Sequence, residues 1–200
     1  KFTKPYRINS FELASRLSYF LWASMPDDEL LNAAINGDFN HPEVLAKQIG
    51  RMVKDSKSDT LGSLFAAQWL GFGLLGNRIR LDPIDNPWCT DSLMQSMRDE
   101  SALFFVSLVR DNRPIEDLIN APYTFMNEEL SREIYGMDSV RGAKMRQGPL
   151  NDPRRAGILT HGSLMAITSN YKETSPIKRG NWILETLLGK PLPPPPPNAG

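Results

Sequence analysis

Apolar residues return every three or four positions through most of this chain, so the helical period dominates. The first stripe is Leu13, Leu17, Phe20 and Leu21, with Ala14 beside it. Asn9 stands where an N-cap belongs, and Glu12, three residues on, completes a capping box. Pro26 restarts the chain. Asp27, Asp28 and Glu29 then complement the dipole of a second, short helix that Gly37 stops. Pro42 opens a third helix with Val44, Leu45, Ile49, Met52 and Val53 on its apolar side, and His41 before it reads as a cap. A fourth is predicted over residues 59–70, with Leu61, Leu64, Phe65, Gln68 and Trp69 on one side. Thr90 caps the longest helix, which runs to about residue 110 with Leu93, Met97, Phe104, Phe105 and Leu108 as its core face. Short helices follow from Pro114 to about residue 119 and from Asn127 to Gly136.

The second half of the pattern is more broken. Residues 76–89 contain Pro83 and Pro87, and residues 137–153 have no period and read as a long loop or lid. A helix is expected over residues 154–168, with Ile158, Leu159, Leu164 and Ile167 apolar. Gly157 and Gly162 inside it each cost about 1 kcal/mol relative to Ala, which points to close packing against another backbone. Ser175 and Pro176 take the N-cap and N1 places of a final helix that ends at Gly189. Residues 121–126 can pair briefly as a strand. The expected fold class is all-α: a bundle-like orthogonal array of helices with one long irregular loop and a C-terminal polyproline strut, Pro193 to Pro197. Residues 1–136 read as a helical domain, and residues 137–200 as a helical segment and linker packed with it as one unit.

With 200 residues, 40% hydrophobic and 23% charged, the chain can bury a sizeable core and is not of disordered composition. No apolar run approaches the ~18 residues of a membrane span. A single cysteine, Cys89, excludes an internal disulfide framework and a Cys-rich zinc site. Net charge is zero, but residues 1–140 hold 14 Lys/Arg against 20 Asp/Glu, and residues 141–200 hold 9 against 3. A basic C-terminal face suits phosphates, sulfates or haem propionates; alternatively the two ends pack together and cancel. Nothing in this pattern points to nucleic acid.

His161 is the most suggestive single residue, flanked by glycines on a predicted helix. A histidine there can ligate a haem iron or shuttle a proton, or simply bond to a neighbour. Arg154, Arg155, Lys178 and Arg179 form the strongest basic cluster. Lys178 and Arg179 sit in the first turn of a helix, where the dipole disfavours cations, so a salt bridge or an anionic ligand is expected to offset them. The turn over residues 168–175, with Asn170 and Ser175, can bind sugar or anion or satisfy two helix ends. No spacing pairs a nucleophile with its base, no glycine-rich phosphate loop occurs, and no metal motif is present. Trp22, Trp69, Trp88 and Trp182 read as core or rim aromatics.

Longer literal motifs carry a resemblance. The segment Ser15-Arg-Leu-Ser-Tyr-Phe-Leu-Trp-Ala-Ser-Met-Pro-Asp-Asp-Glu-Leu30, with Gln68-Trp69-Leu70-Gly71 and Tyr123-Thr-Phe-Met-Asn-Glu-Glu-Leu130, resembles the helical domain of unknown function DUF1592 of planctomycete-type proteins. Arg155-Ala-Gly-Ile-Leu-Thr-His-Gly-Ser-Leu164, Thr168-Ser-Asn170, Thr174-Ser-Pro-Ile-Lys-Arg-Gly180 and the proline-rich tail look like the adjoining DUF1588, associated with cytochrome c proteins. In such proteins the proline run leads to a Cys-x-x-Cys-His haem attachment segment. This sequence contains no such motif, so the resemblance implies haem c on a downstream segment and none attached covalently here. It further implies an exported protein of the bacterial envelope, periplasmic or extracellular, with this chain as a helical scaffold beside redox or electron-transfer chemistry. The haem-facing candidates are then His161, Arg154, Arg155, Asn170, Ser175, Lys178 and Arg179. The alternative is an envelope module that binds polysaccharide or a protein partner. No catalytic residue carries over from the resemblance.

Overall fold

A computed structural model of the chain describes residues 6–193; the proline run predicted as a strut lies almost wholly outside the described residues. Helix α1 (Ser10–Trp22) starts on the Asn9–Glu12 capping box, with both reciprocal bonds at 2.9 Å. Helix α2 (Asp28–Ile35) is capped by Asp27, whose carboxylate also takes two bonds from the Arg51 guanidinium at 2.6 and 3.0 Å. The Arg51 hydrogen bonds hold the Asp27 carboxyl below its ordinary range. Arg51 lies on α3 (Pro42–Lys54), so one pair ties the start of α2 to the end of α3. Together with Leu61 and Val106, these three helices enclose the first core cluster, in which the buried Trp22 indole donates to the Met52 carbonyl at 2.9 Å. His41 does occupy the N-cap place of α3, but its ring makes no capping bond there.

The helix expected over residues 59–70 is three pieces. A 3-10 turn (Ser56–Asp59) passes into a π-helix (Leu61–Ala66) and then into α4 (Ala67–Trp69). The cause is a neighbour that propensity does not register. A Cβ on Gly62 would lie 2.3 Å from the Ala102 carbonyl oxygen, so the two backbones approach as closely as glycine permits. The extra residue of a π-turn adjusts the phase of the helix at this contact.

Helix α5 (Asp91–Arg110) is the spine, capped by Thr90 as its sequence predicts. It contributes Val106 to the first cluster, Phe104 and Leu108 to the second, and Leu93, Met94 and Met97 to the third. Because it is covered on nearly every side, its polar residues Ser96, Glu100 and Ser101 are buried with the apolar ones.

After α5 come α6 (Asp117–Asn120), strand β1 (Tyr123–Met126), helix α7 (Glu128–Glu133) and strand β2 (Arg146–Pro149). The residues from Pro114 to α6 form turns rather than helix. The strands pair antiparallel, Tyr123 opposite Pro149 and Met126 opposite Arg146. The period-two alternation of β1 sends Thr124 and Met126 inward, so the segment read as a loop over residues 137–153 supplies the partner of a strand under α5. The fold is thus mostly α, with one small ribbon.

The helix expected over residues 154–168 does not form as one piece. Gly157 has φ +52°, and a Cβ there would sit 2.4 Å from the Ile119 carbonyl carbon and oxygen. The chain turns instead under α6, forms a 3-10 turn (Ile158–Thr160), and restarts as α8 (Gly162–Ile167). His161 is therefore at an N-cap position, extended at φ −66°, ψ 141°, and not in mid-helix. Helix α9 (Pro176–Trp182) begins at its Ser175 cap and runs into a π-turn (Ile183–Leu187) before Gly189. Two indoles hold this end on the core: Trp182 donates to the Leu70 carbonyl at 3.0 Å, and Trp69 to the Thr186 carbonyl at 3.1 Å.

Candidate functional site: a buried proton network beneath an arginine-lined cleft

The break at Gly157 and the restart at His161 turn the histidine ring inward, edge-on to Phe104 with centroids 4.9 Å apart. Both ring nitrogens find partners. Nδ1 lies 3.0 Å from the Ser101 hydroxyl, and Nε2 lies 3.2 Å from the Thr124 hydroxyl. Ser101 also bonds to Ser163 at 2.7 Å, and Thr124 donates to Glu100 Oε1 at 2.7 Å. The Tyr135 hydroxyl donates to the same carboxylate oxygen. Counting hydrogens orders the chain. Thr124 gives its one hydrogen to Glu100, so it accepts from His161 Nε2–H; Nδ1 then accepts from Ser101, which accepts from Ser163. Every donor points toward Glu100.

Electrostatics agree with a neutral imidazole. Burial, followed by the positive charge of Arg155, drives the His161 pKa down to about 3. Burial pushes Glu100 up to about 7, against the hydrogen bonds from Tyr135 and Thr124 and the charge of Arg155. Burial first, then the neighbouring Glu100 charge, raises the Tyr135 phenol far above its usual range. His161 Nε2 and Glu100 Oε1 are 4.0 Å apart, but with the ring neutral they are not an ion pair at pH 7. Glu100 Oε2 is buried without a hydrogen-bond partner among the described residues. An ionised carboxylate left so would bear a desolvation cost, and a proton on that oxygen lowers it.

Serine, histidine and carboxylate here resemble a nucleophilic triad in composition only. Ser101, His161 and Glu100 are all 0% exposed, so no substrate reaches them in this conformation. In this conformation the His161 ring is 0% exposed and both its nitrogens are taken up by Ser101 and Thr124. Among the described residues no three or more His, Cys, Asp and Glu side chains gather to hold a metal ion, and no helix is long and apolar enough to cross a membrane.

Above this interior lies an open cleft of about 620 Å³. Its lining combines apolar groups, among them Leu81, Trp88, Met97 and Met165, with the charged Arg154, Arg155 and Arg179. Each arginine is held differently. Arg154 is neutralised by Asp152 at 2.7 Å, which that pairing depresses to a pKa of about 2. Arg155 donates to the Ile134 carbonyl at 2.8 Å and the Thr160 carbonyl at 3.3 Å, and lies over the Tyr135 ring, 4.8 Å from its centroid. Among the described residues, the Arg179 guanidinium donates to the hydroxyls of Thr168 and Thr174, both at 3.3 Å. Lys178 donates to the Ser169 carbonyl at 3.4 Å. The salt bridge expected for Lys178 and Arg179 is absent among the described residues; the nearby carboxylates are otherwise engaged, Asp82 and Asp85 with Lys172 and Glu173 with Asn170.

The structure thus brings three of the predicted residues, Arg154, Arg155 and Arg179, to one cleft. Asn170 and Lys178 line a neighbouring depression of about 490 Å³, and Ser175 is a buried cap that accepts from the Lys178 N–H at 3.3 Å. Sequence reasoning missed Glu100, Ser101, Thr124, Tyr135 and Ser163. One signal was present: the apolar stripe of α5 at 93, 97, 104 and 108 has its missing turn at 100–101, so two polar residues occupy core places.

This fold and interior define a mostly helical domain organised around one buried polar chain. The chain belongs to the family described as "Protein of unknown function (DUF1592)", whose model matches residues 8–137. A second model, named PSCyt3 and described as "Protein of unknown function (DUF1588)", matches residues 155–200. No curated protein and no solved structure matches the chain. The two matched segments meet in the buried network, since Ser101 and Thr124 come from the first and His161 and Ser163 from the second.

Proposed function

We propose that this chain is the helical supporting module of a larger exported, c-type cytochrome-like protein, and that it holds a downstream haem-bearing segment in a fixed relation to its own core. The observation that carries this reading is the double indole clasp on the last helix. Trp182 bonds to Leu70 and Trp69 to Thr186, so whatever follows Gly189 leaves from an anchored base. The DUF1588 match over residues 155–200 supports the association with cytochrome c. The sequence carries no Cys-x-x-Cys-His run and the His161 imidazole is 0% exposed, so this reading puts the haem on another segment. In this reading the haem carries the redox chemistry, and the protein's part is positioning.

The test uses the full-length parent, exported with haem-maturation machinery. A pyridine haemochrome assay is expected to show c-type haem. A Trp69→Phe, Trp182→Phe double variant should keep that haem while small-angle scattering shows a wider spread of interdomain distances. Absence of haem, or scattering unchanged by the double variant, would overturn the reading. A second reading, an envelope module that binds polysaccharide, is favoured by one feature: Trp88 stands 42% exposed beside polar groups on the cleft wall, as a sugar-stacking ring would. Glycan pull-down with this chain tests it, and loss of any captured glycan in Trp88→Ala would assign the ring.

A further inference from the structure

We propose that the arginine-lined cleft binds a ring-sized organic carboxylate, and that filling it is coupled to a proton held by Glu100. The inference does not depend on a downstream haem.

The ligand class follows from the walls. Trp88, Leu81, Met97 and Met165 offer apolar surface for a flat body, and a volume of about 620 Å³ lies within the usual range for small-molecule sites. Arg155 and Arg179 supply the charge. Both guanidiniums are positioned by carbonyl or hydroxyl acceptors and neither is paired with a carboxylate of this chain among the described residues. A positioned planar fork without a counter-ion matches a carboxylate in two parallel bonds. Arg154 is already neutralised by Asp152. Glu133 on the rim carries the opposing charge and disfavours multiply charged anions.

The coupling follows from Arg155. Its guanidinium lies over Tyr135, whose hydroxyl donates to Glu100, so the cleft and the buried carboxyl share one cation. The groups that face Glu100 are Tyr135 beyond α7, Thr124 on β1, neutral His161 before α8, the backbone N–H of Gly162 at the start of α8, and Arg155 from the turn preceding them. Arg155 is the only full charge among them. An ionised Glu100 partly offsets that charge through space, without a direct ion pair. A protonated Glu100 leaves that charge free for a ligand anion. Anion binding and protonation of Glu100 therefore favour each other, and the linkage is reciprocal. Oε2, which makes no hydrogen bond among the described residues, is free to carry that proton.

The experiment titrates this chain with 2-naphthoate, and with 2-naphthamide as the uncharged control, by calorimetry and tryptophan fluorescence from pH 5.5 to 8.5. Naphthoate is ionised throughout. It is expected to bind, to quench Trp88, and to weaken about fivefold across the titration of Glu100, with net proton uptake in buffers of different ionisation enthalpy. Arg179→Gln should weaken it about tenfold at every pH with the circular dichroism unchanged. Glu100→Gln, nearly isosteric, should bind naphthoate with the pH dependence gone. Binding of the amide as tight as that of the acid, or no binding of either, would overturn the site. A pH dependence that survives in Glu100→Gln would overturn the coupling.

Discussion

The Thr124 hydroxyl donates to Glu100 Oε1 at 2.7 Å while it stands 3.2 Å from His161 Nε2, so one side chain joins an acid and a base that burial pushes in opposite directions. The pair predicts an unusual pH profile. Glu100 rises from 4.5 to about 7 on folding, so the folded state holds the extra proton between those values. Its contribution is complete below about pH 4.5 and is lost as pH climbs to about 7. His161 falls from 6.5 to about 3, so its contribution is complete above about pH 6.5 and is lost as pH drops toward 3. Between pH 4.5 and 6.5 the two slopes oppose each other. Glu100→Gln removes one of them. Its stability should then rise with pH across that window by up to about 1.4 kcal/mol per unit, where the unaltered chain stays nearly flat. Urea unfolding at pH 5.0 and 6.0 reads this directly, and equal slopes in both chains would refute it.

Gly62→Ala should destabilise the chain by about 2–4 kcal/mol. The added carbon would fall 2.3 Å from the Ala102 carbonyl oxygen and 2.9 Å from Val106 Cγ2, and only one of those neighbours is a side chain that can rotate away. Gly50→Ala is the control on a helix with open space around it, and there the gain in helix propensity is about 1 kcal/mol. Thermal unfolding of the two variants should give shifts of opposite sign.

Arg110 closes the end of α3. Its guanidinium reaches the Val53 carbonyl at 3.3 Å, the Asp55 carbonyl at 3.0 Å, the Ser58 hydroxyl at 2.9 Å and the Asp59 carboxylate at 2.9 Å. A lysine carries the same charge but cannot span these acceptors with a planar fork. Arg110→Lys is expected to cost about 1–3 kcal/mol, and hydrogen exchange should quicken around residues 53–59. Unchanged exchange there would show that the carbonyls do not depend on this side chain.

Asn127 does two jobs in one buried place: its Oδ1 caps α7 at the Leu130 N–H, 2.9 Å away, and its Nδ2 donates to Ser96 at 2.8 Å. Asn127→Ala should lose about 2–3 kcal/mol, more than an exposed cap costs, because Ser96 on α5 is also left without its partner. Asn127→Asp keeps the cap and loses the donor, and its stability should fall between the two. Denaturant midpoints of the three chains decide the order.

Much of the helical frame could be read from neighbouring residues alone. The Asn9–Glu12 box, the caps at Thr90, Asn127 and Ser175, and the prolines at the starts of α3 and α9 all act within one turn, where side chain and backbone are covalently close. For that reason the mostly α fold and the span of α5 were legible, and three of the arginines on the cleft were candidates before the fold was known.

Contacts between distant residues account for the rest. Gly62 bends its helix into a π-turn because Ala102, forty positions away in sequence, comes within contact distance. Gly157 ends a predicted helix because the backbone of Ile119 crosses it, and the restart that follows turns His161 inward. Glu100 acquires its proton affinity from burial, against the hydrogen bonds of Tyr135 and Thr124 and the charge of Arg155, and that burial exists only when α5 is covered by β1, α7 and the turn before α8. Periodicity and capping are local energies and belong to the one-dimensional chain. Desolvation and close backbone packing depend on what lies across the core, so they exist only once the chain is folded.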